Sequence, residues 1–228
     1  MRILLTGAGG KFGEAFIDRL ADTADIIALR HDKNAPELPR TFRPDEATPG
    51  PKLRSVGCDF HDAEDIWRAV SAIVALAGPI DHIVNAAADV RFLGSTVDIA
   101  LHAVEACRQI EANTLAPAVV VSSVFHHDWK QRSPADASVL NISSMSAHQV
   151  YGGVGQGLYA ASKSALNTLT LHTAWDLRPY GIRVNALSPD TFPAALSTAA
   201  VVDAALKILA GKTTGHIFQL AARTTSAP

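Results

Sequence analysis

Short runs of consecutive apolar residues recur along the chain, and the longer segments between them carry apolar residues at helical spacing. Runs without alternation suit strands that are buried on both faces, whereas apolar residues three and four positions apart indicate amphipathic helices. The predicted strands cover residues 2–5, 25–30, 53–58, 80–84, 138–142, 182–187 and 217–220. The predicted helices cover residues 14–20, 63–77, 99–121, 158–176 and 201–210.

The alternation of strands and helices predicts an α/β fold, in which a mostly parallel, right-handedly wound sheet has helices on both faces. A chain of 228 residues can form one domain with a substantial core. We therefore expect residues 1–228 to be a single Rossmann-like domain, a doubly wound sheet of about seven strands, which binds its ligand beyond the carboxyl ends of the strands. Residues 31–52 contain five prolines and are predicted to be an irregular connection.

The first predicted strand is followed at once by Gly7, Gly10 and Gly13, and a predicted helix starts directly after them. Glycines at these positions allow a tight turn and let the backbone approach a pyrophosphate at the helix N-terminus. Lys11 is followed by Phe12, so the hydroxyl that a GxxxxGK[ST] phosphate loop offers to Mg²⁺ is missing. The sequence therefore predicts a dinucleotide site, with a glycine-rich turn that binds no ligand as the alternative.

Tyr159 and Lys163 are four residues apart in a predicted helix, so they lie on one face, one turn apart. An ammonium beside the phenol favours the phenolate, and we expect it to lower the pKa of Tyr159 from about 10 toward neutral pH. Such a tyrosine can pass a proton to or from a carbonyl or alcohol oxygen, which Ser144 can hold. The alternative for Tyr159 and Lys163 is that they lie on a solvated helix face without a function. The alternative for Ser143 and Ser144 is that they only end a strand.

Composition and charge argue against several classes of function. The net charge of −2, the apolar fraction of 48% and the charged fraction of 18% are typical of a globular protein and give no sign of nucleic-acid or membrane binding. Two cysteines form no disulfide framework, and the sequence shows neither a signal peptide nor a membrane-spanning stretch, so we expect a cytoplasmic protein. Residues 126–128 read His-His-Asp, but adjacent histidines point in different directions, and no metal site is predicted.

The order of these motifs resembles the short-chain dehydrogenase/reductase family over nearly the whole chain. The residues that carry the resemblance are Thr6, Gly7, Gly10, Gly13, Asp59, Asn85, Ala86, Ala87, Asn113, Ser144, Tyr159, Lys163 and the segment 183–189. The resemblance implies that Tyr159 is the general acid or base, and that Ser144 orients the substrate oxygen. It implies further that Lys163 lowers the pKa of Tyr159 and holds the nicotinamide ribose, and that Asn113 positions a water for proton relay. A helix-kink residue is the alternative for Asn113.

The same resemblance implies a nicotinamide cofactor and a set of residues that bind it. The implied cofactor-binding residues are Thr6, Gly7, Gly10, Lys11, Phe12, Gly13, Arg30, Asp59, Phe60, Asn85, Ala86, Ala87, Tyr159, Lys163, Pro189 and Thr191. Among them, Asp59 resembles the acid that holds the adenine amino group. A base at the end of the second strand accepts a ribose 2′-phosphate, so Arg30, together with Lys11, favours NADP(H), while Asp32 keeps NAD(H) open.

The chain departs from the family pattern at three places. Its glycine spacing is that of the longer, sugar-nucleotide-modifying branch, whose substrate domain is absent from the chain. Tyr159 follows Ser144 by fifteen positions, more than is usual in the short branch, which makes Ser146 a rival for the serine role. Asp190 stands where the family has glycine, and the short segment after it implies an open pocket or one that a partner completes.

We therefore expect an NADP(H)-dependent oxidoreductase that transfers a hydride between nicotinamide and the carbonyl or alcohol of a small molecule. A cofactor-retaining epimerase or dehydratase and a non-enzymatic dinucleotide sensor are the alternatives. The apolar stripes of residues 99–121 and 158–176 belong first to the core, but in this family the same two helices commonly form a dimer interface. We expect a homodimer or homotetramer.

Overall fold

The computed structural model of the chain describes residues 1–31, 53–153 and 155–222, so most of the predicted connection at 31–52 lies outside the described residues. The strands are β1 (Arg2–Thr6), β2 (Asp25–Arg30), β3 (Leu53–Gly57), β4 (His82–Asn85), β5 (Ser138–Ile142), β6 (Arg183–Pro189) and β7 (His216–Leu220). They form one sheet in the order β3-β2-β1-β4-β5-β6-β7, and every neighbouring pair is parallel. The predicted seven-stranded parallel sheet is thus confirmed.

In the described parts of the chain, helices connect each strand to the next, as parallel neighbours require, and only the connection from β2 to β3 lies outside the described residues. Within the described ranges the α-helices are α1 (Lys11–Leu20), α2 (Ala63–Ala77), α3 (Ala103–Ile110), α4 (Ala116–Val124), α5 (Lys130–Arg132), α6 (Gly157–Leu177) and α7 (Thr198–Ala210). Three 3₁₀ turns (Thr96–His102, Met145–Ala147, Arg178–Tyr180) and two π turns (Glu111–Leu115, Phe125–Trp129) accompany them. In the part of the chain that the structure describes, no helix is both long and apolar enough to cross a membrane.

Successive residues of β1 pack into two different cores, because helices cover both faces of the sheet. Leu4 packs with Ile66 of α2 and Val120 of α4. Ile3 and Leu5 point to the opposite face, where they pack with α1 and α7. All three β1 side chains are fully buried, which is why their sequence shows no alternation between apolar and polar residues.

The predicted helix over residues 99–121 is longer and less regular in the structure. A π turn joins α3 to α4, and Pro117 lies directly after it, at the start of α4, where a missing backbone N–H is tolerated. The helical segment then continues through a second π turn to Arg132, beyond its predicted end. Burial explains the continuation, since Trp129 is fully buried and donates its Nε1–H to the Ile80 carbonyl at 2.7 Å.

The strand order reverses between β1 and β4, which are neighbours in the sheet but far apart along the chain. Connections from the two strands leave toward opposite sides, and a crevice forms beyond their carboxyl ends. The glycine turn follows β1, and residues 86–88 follow β4, so both segments meet at this crevice.

Candidate active site

The glycine turn after β1 brings the start of α1 close to the loop after β4. Gly7 has a φ of +76°, and a Cβ there would lie 2.5 Å from the carbonyl carbon of Ala86. A Cβ on Gly13 would lie 2.2 Å from the carbonyl oxygen of Gly7. Gly10 is the N-cap residue of α1 and has no side chain that could compete with a ligand for the first N–H groups of the helix.

A cavity of about 600 Å³ lies in front of this turn, at the crevice between β1 and β4. The predicted cofactor residues that line it are Gly7, Gly10, Lys11, Phe12, Gly13, Arg30, Phe60, Ala86 and Ala87. Sequence analysis missed Ala8, Gly9, His31, Ala88, Asp89, Val90, Arg91, Ala112 and Phe192. Residues 88–91 form the loop after β4, and no motif specifies how such a loop folds back over the crevice.

Thr6 and Asn85, also predicted to bind the cofactor, lie at the strand ends behind the cavity and are not among its lining residues. The Oγ1 of Thr6 accepts from the backbone N–H groups of Ala86 and Ala87, each at 3.1 Å. The Nδ2 of Asn85 donates to the Oδ1 of Asn141 on β5 at 2.9 Å. The Thr6 side chain therefore fixes the loop that lines the cavity, and the Asn85 side chain links β4 to β5.

His31 and Phe60 line the end of the cavity near β2 and β3, and Asp59 and His61 lie against His31. The backbone N–H of Phe60 donates to the Nδ1 of His31 at 2.9 Å, and the Oδ1 of Asp59 lies 3.7 Å from the same nitrogen. Asp59 stands beside the lining residues rather than among them. His31, Asp59 and His61 each offer one potential metal-ligand atom, and these atoms lie within 4.8 Å of one another. Sequence analysis predicted no metal site and did not identify this group.

The side chain of Ser144 faces the phenol of Tyr159, near the start of α6, closely enough to lower the pKa of the phenol. Ser144 caps the 3₁₀ turn Met145–Ala147, where its Oγ accepts from the Ser146 N–H at 3.1 Å. The Oγ of Ser146 instead donates to the Oε1 of Gln156 at 2.9 Å. Of the two rival serines, Ser144 is therefore the one that the structure joins to the phenol.

The pKa of Tyr159 is raised in the structure, which corrects the expectation that Lys163 lowers it. Burial of the phenol is the largest cause, because it disfavours the phenolate, and the hydrogen bond with Ser144 acts in the opposite direction. The Nζ of Lys163 lies 5.8 Å from the centroid of the Tyr159 ring and donates to the Ile142 carbonyl at 2.9 Å. Burial lowers the pKa of Lys163 from 10.5 to about 8. Lys163 lines neither the 600 Å³ cavity nor the Tyr159 cavity described below.

Asn113 is fully buried in the π turn between α3 and α4. Its Oδ1 accepts from the Asp89 N–H at 2.6 Å, and its Nδ2 donates to the Asp89 carbonyl at 2.8 Å and to the Oγ of Ser162 at 3.1 Å. The Asn113 side chain thus joins the loop after β4 to α6, the helix that carries Tyr159 and Lys163. The predicted role in a water relay stays a prediction.

A second cavity, of about 250 Å³, adjoins the first, since Val90 and Phe192 line both. Its polar lining residues are Ser143, Ser144, Ser146, Tyr151, Gln156, Tyr159, Asp190 and Thr191. Two predicted cofactor residues, Pro189 and Thr191, line this cavity and not the one at the glycine turn. Tyr151 and Gln156 fall within residues 145–158, a range expected from the sequence to shape the substrate pocket, although neither residue was singled out.

Comparison with known proteins gives a family for this arrangement. Residues 1–217 match the model of the short chain dehydrogenase family. The chain is 30% identical over 188 residues to human dehydrogenase/reductase SDR family member 4, a match that covers 82% of this chain and 64% of the human protein. It is 29% identical over 204 residues to bovine L-xylulose reductase, which covers 89% of this chain and 76% of that relative. The chain thus spans less than two thirds of the human relative's length.

A solved structure agrees with the fold over almost its whole length. A short-chain dehydrogenase/reductase from Serratia marcescens is 26% identical and superimposes with a TM-score of 0.76, covering 96% of this chain and 94% of that one. The glycine turn, the strand order and the joined Ser144 and Tyr159 are consistent with this similarity. The chain therefore belongs to the short-chain dehydrogenase/reductase family of oxidoreductases.

Proposed function

We propose that the protein is an NADP(H)-dependent oxidoreductase that interconverts the carbonyl and the alcohol of a small molecule. The observation that carries this proposal is the common wall of the two cavities, to which Val90 and Phe192 belong. A substrate oxygen held at Tyr159 in the smaller cavity has a space of dinucleotide size directly beside it. Proton transfer at Tyr159 and hydride transfer at the neighbouring carbon are then possible in one site.

The residues of the larger cavity suit a nicotinamide dinucleotide. The uncapped start of α1 favours a pyrophosphate, and the close approach at Gly7 and Gly13 leaves room for no side chain there. Lys11 and Arg30 line the cavity and bring positive charge to it. When bound, the nicotinamide supplies or accepts the hydride.

Tyr159 is suited to donate a proton to the substrate oxygen during reduction and to take it back during oxidation. Because burial raises its pKa, the phenol is protonated at neutral pH, which favours the donating role. Ser144, which faces the phenol and lowers its pKa, is suited to hold the same substrate oxygen. The Nζ of Lys163 lies 5.8 Å from the centroid of the Tyr159 ring, and the raised pKa of Tyr159 gives no sign that this ammonium stabilises the phenolate.

Replacing Tyr159 by phenylalanine tests the proposed function. We expect Tyr159→Phe to lower turnover about 100-fold or more, because the general acid is lost, and to leave NADPH affinity nearly unchanged. Turnover is followed by NADPH absorbance in a screen of carbonyl compounds, and affinity by calorimetry. Tyr180→Phe is the matched control, since Tyr180 packs against Phe125 away from both cavities. Equal turnover of the wild type and Tyr159→Phe would contradict the proposal.

The names of the relatives favour a reductase over an epimerase or dehydratase that keeps its cofactor. The human relative is named a dehydrogenase/reductase and the bovine one L-xylulose reductase. A reductase consumes NADPH in proportion to product, whereas an epimerase returns the hydride and shows no net consumption. Measuring both quantities in one reaction separates the two functions.

The choice of NADP(H) rests on Arg30, which ends β2 and lines the larger cavity. We expect Arg30→Asp to weaken NADPH binding about tenfold or more, because a carboxylate replaces a cation that can pair with the 2′-phosphate, while NADH binding changes little. Titration of each nucleotide by calorimetry measures the two effects. Lys207→Asp, on the exposed side of α7, is the control for a change of net charge. Equal weakening of NADPH and NADH binding argues against this choice.

A further inference from the structure

Asp190 places a fixed carboxylate in the wall of the Tyr159 cavity. It directly follows β6, and its backbone N–H donates to the Leu220 carbonyl at 2.9 Å. The Oδ1 of Asp190 accepts from the hydroxyl of Tyr151 at 2.8 Å and from the Thr191 N–H at 2.7 Å. These hydrogen bonds orient the side chain and hold the pKa of Asp190 below its ordinary value, so the carboxylate is ionised at neutral pH.

The described residues that line this cavity include no lysine, arginine or histidine. Lys163 comes nearest in the sequence of α6, but it is fully buried behind the wall and its Nζ is directed at the Ile142 carbonyl. A ligand that brings a second carboxylate into this cavity would therefore meet a like charge without a cation to balance it. Like charges repel across such a short distance even in a partly solvated cavity, so this repulsion weakens the binding of an anionic ligand.

The remaining wall is rich in groups that pair with hydroxyls. Ser144, Tyr151, Gln156 and Thr191 lie in this wall with Asp190 and Tyr159, and its apolar part is formed by Val90, Leu93, Pro189 and Phe192. A purely apolar ligand offers the Asp190 carboxylate no hydrogen bond in place of the water that it displaces, which costs binding free energy. A ligand with hydroxyl groups replaces the water that the polar groups would lose.

From this geometry we propose the substrate class of the reaction, which itself rests on the proposed function. The cavity selects a small, uncharged hydroxyketone or the corresponding polyol, and a hydroxyl next to the reacting carbon donates a hydrogen bond to Asp190. The atoms around the reacting centre occupy the cavity of about 250 Å³, which adjoins a further cavity of about 450 Å³ at Ser146, Tyr151 and Gln156. Oxo acids with a carboxylate next to the carbonyl are excluded by Asp190.

Binding of three ketones of nearly equal size tests the proposal without depending on turnover. Dihydroxyacetone carries hydroxyls, pyruvate carries a carboxylate and butanone carries neither. Each is titrated by saturation-transfer NMR against the full chain with saturating NADP⁺. The variants are Asp190→Asn, which removes the charge and keeps the shape, and Asp190→Gly, which removes the side chain. Asp203→Asn is the control, since Asp203 pairs with Arg19 away from the cavity.

We expect the wild type to bind dihydroxyacetone at least about tenfold more tightly than pyruvate or butanone. Both Asp190 variants should bring the ratio of the affinities for dihydroxyacetone and pyruvate close to one, and Asp203→Asn should leave this ratio unchanged. A wild-type ratio near one, no binding of dihydroxyacetone, or a ratio that neither Asp190 variant moves would overturn the proposal. NADPH oxidation by dihydroxyacetone is followed in parallel. If the protein prefers dihydroxyacetone but does not oxidise NADPH with it, the result supports the binding site and contradicts the proposed function. If NADPH is oxidised but dihydroxyacetone is not bound more tightly than pyruvate, the result supports the proposed function and contradicts the binding site.

Discussion

The pairing of Ser144 with Tyr159 is the smallest unit on which the proposed chemistry depends. Burial raises the pKa of the phenol, and Ser144 is the neighbour that opposes this effect. A hydroxyl that donates to the phenolate stabilises it and so makes the proton easier to transfer. Ser146, two residues further, is engaged by Gln156 and has no such contact with the phenol.

This difference between the two serines predicts different pH profiles. Ser144→Ala should raise the pKa of Tyr159 further, so the limb of the pH–kcat/KM profile for alcohol oxidation moves to higher pH. Titration of tyrosinate absorbance checks the same shift directly, since the chain has three tyrosines. Ser146→Ala is the matched control and should leave both curves in place. A shift of equal size in the two variants would show that the serines are interchangeable.

The glycine turn is the element that connects the sheet to the larger cavity. Its backbone is packed so closely that the Gly7 carbonyl oxygen occupies the space where a side chain of Gly13 would begin. The turn also rests on the loop after β4, which Thr6 holds through two backbone N–H groups. A displacement of the turn therefore moves two walls of the cavity together.

Adding one methyl group to the turn tests this element. A Cβ on residue 13 would lie 2.2 Å from a backbone oxygen that cannot rotate away. We expect Gly13→Ala to weaken NADPH binding about tenfold or more and to lower the free energy of unfolding by about 1–3 kcal/mol. Calorimetry and denaturant unfolding measure the two effects. Gly152→Ala, where a Cβ meets nothing within 4 Å, is the control and should change neither.

Elements with a repeating pattern could be predicted from the sequence, whereas their irregularities could not. The strand of residues 2–5 is evident because burial on both faces leaves an unbroken apolar run. The π turn around Asn113 leaves no comparable trace, because it depends on contacts with Asp89 and Ser162, which lie 24 and 49 residues away. Motifs named Tyr159 and Ser144, but the raised pKa of Tyr159 follows from burial, a property of the assembled fold.

At the scale of the whole molecule, two neighbouring helical segments expose a set of large apolar side chains. Val97 and Leu101 lie in the 3₁₀ turn Thr96–His102, and Val104 follows at helical spacing in α3. Leu101 is 78% exposed. Leu171 and Trp175 lie one turn apart on α6, where Trp175 is 71% exposed. Large exposed apolar groups in one region are typical of an interaction surface. We propose that a second copy of the chain covers them.

Charges placed on this surface should separate the copies. We expect the double variant Leu101→Asp/Trp175→Asp to lower the molar mass to that of the 24.1 kDa monomer, because a buried interface would hold unpaired carboxylates. Size-exclusion chromatography with light scattering measures the mass. Leu76→Asp is the control, since Leu76 is similarly exposed but lies on α2. A monomeric wild type, or an unchanged mass in the double variant, would contradict the proposal.

The buried ammonium beneath Tyr159 makes the fold itself sensitive to pH. Folding lowers the pKa of Lys163 from 10.5 to about 8, so between these two values the unfolded chain binds more protons than the folded one. The contribution of Lys163 to the free energy of unfolding therefore rises with pH across this window. At neutral pH the protonated side chain destabilises the fold by on the order of 3 kcal/mol relative to a lysine in water. Because Lys163 lines neither cavity, this cost belongs to the fold itself and does not depend on direct contact with a ligand.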